Sequence, residues 1–370
     1  FHSFFKEQPD LNWRNPDVAS AFSAIIRYWL ELGVDGFRLD VINFIAKDKK
    51  FRDNPKFLGI PLFQRHLYSR DRLKSLKVVK QLRELTDQFS DKVLIGEIYT
   101  QPPGNSKRVA SYLSAGKGLH LAFDFSLIFQ PWNASRYFKS IENSYGHIPY
   151  NGWPTLVLSN HDLFRNINRV PWRLYKDRKA KVAAALLLTL KGTPFIYYGE
   201  EIGIGNKNIR KKDLQDPLGK LYWPFFKGRD KARTPMQWSS DDNAGFTSGK
   251  PWLPLNKNFK TRSVEVQRDD PNSLFSFYRQ LITLRKATPA LQTGRWVPLV
   301  GGLNGIIAYS RIHGDDRILV ILNFNNSVSK LTLSEHAFGQ VLFSTHHQPG
   351  ERFYFQNFPI QPFEVTICES

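Results

Sequence analysis

Residues 15–40 read NPDVASAFSAIIRYWLELGVDGFRLD, a helix, a turn and a strand in that order. Asn15-Pro16 supplies a helix start, since proline suits the first turn, where no N–H is needed. Over 17–32, Ala21, Phe22, Ile25, Ile26 and Trp29 recur at spacings of three and four, the period of one helical face. Gly33 predicts the stop, in the left-handed cap position that glycine takes most readily. Residues 34–39 then read as a strand, and Asp40 stands at its end.

The pattern continues outward from this unit. Further strands are expected at 93–98, 119–125, 155–159 and 194–198, with helices at 73–89 and 177–190, the last stopped by Gly192. Alternating strand and helix implies a parallel sheet with crossover helices. Five such strands fall short of the eight that close a (β/α)₈ TIM barrel, and the shortfall falls at the N-terminus. The chain starts with Phe1, and its only methionine is Met236. It therefore reads as an N-terminally truncated barrel, with the first three strands missing.

Residues 203–272 form a long aromatic, proline-rich and glycine-rich stretch after the last apolar strand, the place where barrel loops build sites. A closing helix is expected at 273–286. Beyond it the pattern turns to alternating strands at 306–312, 317–324 and 362–367, separated by Asn-Gly and Gly-Asp turns. The expected organisation is thus a catalytic barrel part over 1–290 and a small antiparallel β-sandwich over 291–370.

Composition narrows the function. Of 370 residues, 41% are hydrophobic and 23% charged, ordinary for a globular protein. No apolar run approaches the length of a membrane span, so no membrane partner is expected. The formal charge of +19 comes from 52 Lys and Arg against 33 Asp and Glu. These residues are scattered, and the densest clusters, 47–50 and 207–212, are short, so no nucleic-acid partner is expected. One cysteine, Cys368, permits no intrachain disulfide and points to the cytoplasm.

The expected strand ends carry the chemistry. They present Arg38 and Asp40, then Glu97, then His161 and Asp162, and in a barrel these ends share one mouth. Paired carboxylates at a barrel mouth suit glycoside cleavage: one attacks the anomeric carbon and the other protonates the leaving oxygen. Arg38 lies two residues before Asp40, on the same strand face, and is expected to hold Asp40 ionised. Glu97 has no basic neighbour nearby in sequence, which fits a general acid.

These segments resemble a known family. Phe37-Arg38-Leu39-Asp40-Val41-Ile42-Asn43 resembles the nucleophile segment of the α-amylase superfamily, glycoside hydrolase family thirteen. Gly96-Glu97-Ile98-Tyr99 is similar to its acid/base segment, and Ser159-Asn160-His161-Asp162 to its third carboxylate segment. Residues 192–201 resemble its last barrel strand. Gln8-Pro9-Asp10-Leu11-Asn12 is similar to a signature of the oligo-1,6-glucosidase branch. The resemblance implies that Asp40 is the nucleophile, Glu97 the acid/base, and Asp162 a stabiliser of the transition state that binds sugar hydroxyls. It implies sugar contacts for Arg38, His161 and Arg233, the last in Ala232-Arg233-Thr234-Pro235-Met236-Gln237-Trp238. Phe123 is a candidate stacking residue or a core residue.

The family's first conserved segment, an Asp followed by Asn-His, has no counterpart in the chain. Any calcium site of the early loops would lie outside it too; otherwise no metal or cofactor is expected. An isolated chain of this kind is expected to be unstable or inactive. The expected substrate is a short oligosaccharide. Val41, beside the nucleophile, resembles enzymes acting on α-1,6 linkages and on trehalose-6-phosphate, because a branched side chain there restricts the angle of the adjacent sugar. The leading expectation is release of glucose from isomalto-oligosaccharides, with α-1,4 linkages also open. The alternatives are trehalose-6-phosphate hydrolysis, with 207–212 supplying the phosphate contacts, and a silent sugar-binding or scaffold protein. Sequence leaves the oligomeric state open.

Overall fold

The computed structural model describes residues 1–57, 60–149, 152–169, 175–333 and 338–370. The chain forms two compact units: Phe1–Ser126 with Asn143–Thr155, and Leu127–Glu142 with Leu156–Ser370.

In the first unit the helix spans Pro16–Glu31, with the Asn15 side chain accepting from the Asp17 N–H at 3.0 Å. The chain leaves it through Gly33 at φ +105°, as the glycine predicts. Strand Gly36–Leu39 pairs in parallel with Val93–Glu97, which pairs in parallel with Leu121–Phe123. Gly36 is obligatory here: its φ is +145°, and a Cβ would stand 1.9 Å from the Val93 carbonyl oxygen. Helix Leu73–Thr86 covers this sheet, and Ile26, Leu30, Val79, Leu82, Leu94 and Leu119 form the core between them. Each such side chain stabilises the fold by about 1.5–3 kcal/mol. The helix Pro16–Glu31 buries a different face from the one its period suggests. Ile26 and Leu30 are interior, whereas Ile25, Tyr28, Trp29 and Leu32 are exposed. The helix is apolar around more than one face, and the core in this unit contacts only one of them.

Strand Thr155–Val157, whose last two residues belong to the second unit, pairs with Thr193–Phe195. Helix Lys176–Thr189 is buried along its whole last half and packs on helix Leu274–Ala287. A six-stranded antiparallel sheet runs in the order Arg352–Phe353, Gly339–Ser344, Val365–Glu369, Asp316–Asn323, Ile306–His313, Arg295–Gly301. One face, through Ile306, Ala308, Leu319 and Ile321, packs on the two-stranded ribbon Ser329–Leu331 with Phe358–Ile360. Cys368 is buried in this layer, and burial, with the Glu364 carboxylate, pushes its thiol up to about 12, which makes it inert. The opposite face meets the end of helix Lys176–Thr189, where the Tyr309 hydroxyl lies 2.5 Å from that of Thr189.

Arg311 secures that junction. It is fully buried and donates to the Thr189 carbonyl at 2.5 Å and to the Gly294 carbonyl at 3.0 Å. A cation at a helix C-terminus answers the last carbonyls and the dipole together. Arg311→Met should destabilise the protein by about 3 kcal/mol, because it strands these buried acceptors. The check is the urea midpoint, which should fall while the slope is unchanged. Among the described residues, no helix is long and apolar enough to cross a membrane.

Candidate active site

The first unit holds Arg38, Asp40, Val41, Glu97 and Phe123. Register explains how they meet. Arg38 lies opposite Ile95 in the parallel pair, so Glu97, two residues on, projects from the same face, as does Asp40 two residues beyond Arg38. Arg38 Nη1 donates to Asp40 Oδ1 at 2.6 Å, and Arg38 Nη2 donates to Glu97 Oε2. One guanidinium thus holds both carboxylates. Their surroundings differ sharply: the side chain of Asp40 is 72% exposed and that of Glu97 only 8%.

The absence of a basic neighbour at Glu97 holds along the sequence but not in space. Arg38, 59 positions away in the chain, reaches it across the adjacent strand. Phe123 is in register with Glu97 on the next strand, and its ring stacks on Phe125, centroids 5.9 Å apart with planes 8° apart.

Val41 has φ +33° and ψ +45°. A β-branched residue in the left-handed region is strained, and such strain is found where surroundings over-determine a geometry. Here the next turn does so: the Phe44 N–H donates to the Val41 carbonyl at 2.8 Å. The side chain of Asn43 also donates to the Tyr99 carbonyl at 2.8 Å and accepts from the Tyr99 N–H at 3.2 Å. Asn43 therefore ties the turn after Asp40 to the turn after Glu97. Sequence reasoning gave it no role.

The second unit holds His161, Asp162 and Arg233. Asn160 shapes their turn, its side chain accepting from the N–H groups of Asp162 at 3.0 Å and Leu163 at 2.9 Å. Arg233 Nη2 donates to Asp162 Oδ1 at 2.7 Å, and its Nε to the His161 carbonyl at 2.9 Å. His161 Nε2 lies 3.4 Å from the same carboxylate oxygen. Arg233 is therefore a bonded partner of Asp162.

A second arginine joins it. Arg229 Nη1 donates to Asp162 Oδ1 at 3.2 Å, while its Nη2 and Nε hold Asp216 at 2.8 and 3.1 Å. Arg229 was not among the expected residues. The available signal was its place four residues before Arg233, across the short turn Asp230–Ala232. The Asp216 side chain is wholly buried. Burial opposes its ionisation, but bonds from the Arg229 side chain and backbone outweigh this and hold its carboxyl below the usual range. The basic loop 207–212 answers part of its own charge, since Arg210 Nε donates to Asp213 at 2.8 Å. Among the described residues, no cluster of three or more His, Cys, Asp or Glu could hold a metal ion.

Comparison with known proteins gives this geometry its context. A family model described as the alpha amylase catalytic domain matches residues 1–294. The chain belongs to this family. α-Amylase family enzymes are TIM barrels, and the parallel strands Gly36–Leu39, Val93–Glu97 and Leu121–Phe123 are of the barrel type, with the antiparallel sheet from Arg295 later in the chain. A probable alpha-glucosidase of Rhizobium meliloti is 35% identical over 347 residues, spanning 89% of this chain and 62% of that protein. The oligo-1,6-glucosidase of Parageobacillus thermoglucosidasius is 31% identical over 399 residues, spanning 99% of this chain and 70% of its own. The chain thus spans about two-thirds of the length of these relatives. Among solved structures, the alpha-glucosyl transfer enzyme XgtA matches with a TM-score of 0.89 and 31% identity, covering 100% of this chain and 70% of that one. An isomaltulose synthase mutant from Erwinia rhapontici NX5, in complex with its natural substrate sucrose, matches with a TM-score of 0.84 and 29% identity, covering 100% and 71%.

Proposed function

We propose that this protein is a retaining α-glucosidase of short oligosaccharides, with Asp40 as nucleophile and Glu97 as general acid/base. The observation that carries the reading is the single guanidinium of Arg38 bonded to both carboxylates. Two carboxylates gripped in this way stay close, in keeping with the separation of about 5–5.5 Å that retention uses. Asp40 attacks the anomeric carbon as Glu97 gives its proton to the departing glycosidic oxygen. Water then attacks the glucosyl ester, Glu97 takes the water's proton, and Asp40 leaves. Two inversions return the α configuration. Asp162, His161 and Arg233 act as sugar-hydroxyl ligands, with Phe123 a stacking surface. The double displacement draws on carboxylates alone and needs no metal or organic cofactor.

The finer reading is a preference for α-1,6 linkages. It is supported by Val41 next to the nucleophile and by the oligo-1,6-glucosidase names of several relatives. A second reading follows from the glucosyl transfer enzyme and isomaltulose synthase among the structural relatives: a sugar hydroxyl attacks the glucosyl ester in place of water, Glu97 takes its proton, and Asp40 leaves. Isomaltose, maltose and sucrose should be compared by anomer-resolved NMR. α-Glucose as the first product supports retention, and β-glucose appearing first sinks it. New disaccharides formed from sucrose would favour transfer. Val41→Ala removes the branch beside the nucleophile. It should raise the maltose to isomaltose rate ratio by about tenfold. An unchanged ratio removes Val41 from linkage choice.

A further inference from the structure

We propose that a basic cavity in the first unit, between the loop 66–72 and the loop 100–108, binds a small oxyanion: inorganic phosphate or the phosphate group of a phosphorylated sugar. This goes beyond the glycosidase reading and does not depend on turnover. The cavity has a volume of about 260 Å³. Three guanidinium groups line it, from Arg70, Arg72 and Arg108, against one carboxylate, Asp71.

That carboxylate is already engaged. Asp71 accepts from Asn43 Nδ2, Tyr112 Oη and Arg70 Nε, each at 3.1 Å, and lies 3.8 Å from Arg108 Nε. Arg72 leans on Asp48 at a long 3.4 Å. Positive charge is therefore in excess at the cavity.

Arg70 makes the strongest case. It is only 7% exposed, and its guanidinium lies 5.6 Å from the ring centroid of Phe44 and 5.9 Å from that of Tyr99, which fixes its plane. Its Nη1 has no hydrogen-bond partner among the described residues. A buried cationic donor without an acceptor is destabilising, and the same side chain lines the cavity. His66 on the wall reports the same field. Burial, then the charges of Arg70 and Lys47, hold its imidazole below the ordinary range. Forked guanidinium donors match tetrahedral oxyanions better than point charges do. Asn43 bonds both Asp71 and Tyr99, so an anion here would brace the turns that follow Asp40 and Glu97.

The test is calorimetric titration of the full chain with inorganic phosphate, glucose 6-phosphate and glucose, at ionic strength held constant with chloride. Saturable binding of the two phosphates, and none of glucose, is expected. Glucose 6-phosphate binding well above inorganic phosphate identifies a sugar phosphate as the ligand, and equal binding identifies the free ion. Arg108 is half exposed, so Arg108→Gln should fold normally and weaken binding by about tenfold or more. Arg70→Lys keeps the charge, loses the fork and should weaken it as well. Lys211→Gln, on the basic loop of the other unit, should leave it unchanged. No saturable binding up to about 10 mM, or full binding in folded Arg108→Gln and Arg70→Lys, overturns the proposal. Either result would leave the α-glucosidase assignment standing, because that rests on product analysis.

Discussion

Replacing Asp40 by Ala is expected to lower α-glucoside turnover at least 10⁴-fold, on the order seen when a nucleophile is removed, in a preparation active on α-glucosides. Folding should be spared, since the Asp40 side chain is largely solvated and its partner Arg38 keeps Glu97. The loss has a chemical signature. With the carboxylate gone, a small external anion such as azide can approach the anomeric carbon from the side Asp40 occupied. It would displace the leaving group in a single inversion and give the β-glucosyl azide. Glu97→Gln should behave differently. It should lose about 10²–10⁴-fold on a disaccharide, whose leaving oxygen needs a proton, and far less on an aryl glucoside that leaves unaided. Exchange of these two phenotypes, with azide rescue at Glu97 and leaving-group dependence at Asp40, would reverse the roles. Activity of Asp40→Ala within tenfold of the parent would remove Asp40 from the chemistry.

The contrast between these two carboxylates shows where sequence is informative. Asp40 and Glu97 were legible because each ends a short apolar strand, and strand ends follow from local pattern: Gly33 stops the helix, and a four- or five-residue strand follows. The link between them was not legible. Arg38 reaches Glu97 only because Leu39 lies opposite Gly96, and the register of parallel strands 57 residues apart leaves no trace in either strand alone. Val41 illustrates a second limit. A valine predicts extended backbone, yet its φ is +33°, imposed by the turn that Phe44 closes. The β layer was visible at 306–312 and 317–324, whose strands are long and apolar. Arg295–Gly301 and Gly339–Ser344 escaped notice because their burial is mixed and their ladders are broken by bulges. Arg229, Asp216 and Asn43 lie in loops, where no period marks which side chain turns inward.

Arg229→Gln should have the largest effect on stability, and its size should depend on pH. In the parent, Asp216 is buried, and the Arg229 guanidinium bonds both of its oxygens. Asp230 packs against the same turn, its carboxylate accepting the N–H groups of Gln215 and Asp216. The folded-state pKa of Asp216 is depressed, so its contribution is complete above the unfolded value near 4 and is lost as pH falls through the folded value. Removing the guanidinium leaves a buried carboxylate without its cation, which costs about 3–5 kcal/mol at neutral pH. Burial, already the largest influence on this group, is then opposed by the backbone N–H groups of Arg229 and Leu218 but no longer by the guanidinium, and the pKa rises. A raised acid pKa reverses the slope: the variant loses stability as pH rises above about 4 and recovers it on acidification. The gap between parent and variant in urea midpoint should therefore be wide at pH 7 and narrow by pH 4.5. A gap that stays constant over this range would mean that Asp216 does not draw its charge balance from Arg229. The same substitution removes one donor from Asp162, so turnover should fall even at a pH where the variant is fully folded. A stability loss without that fall would confine Arg229 to holding the loop, and leave Arg233 and His161 as the groups that set the charge around Asp162.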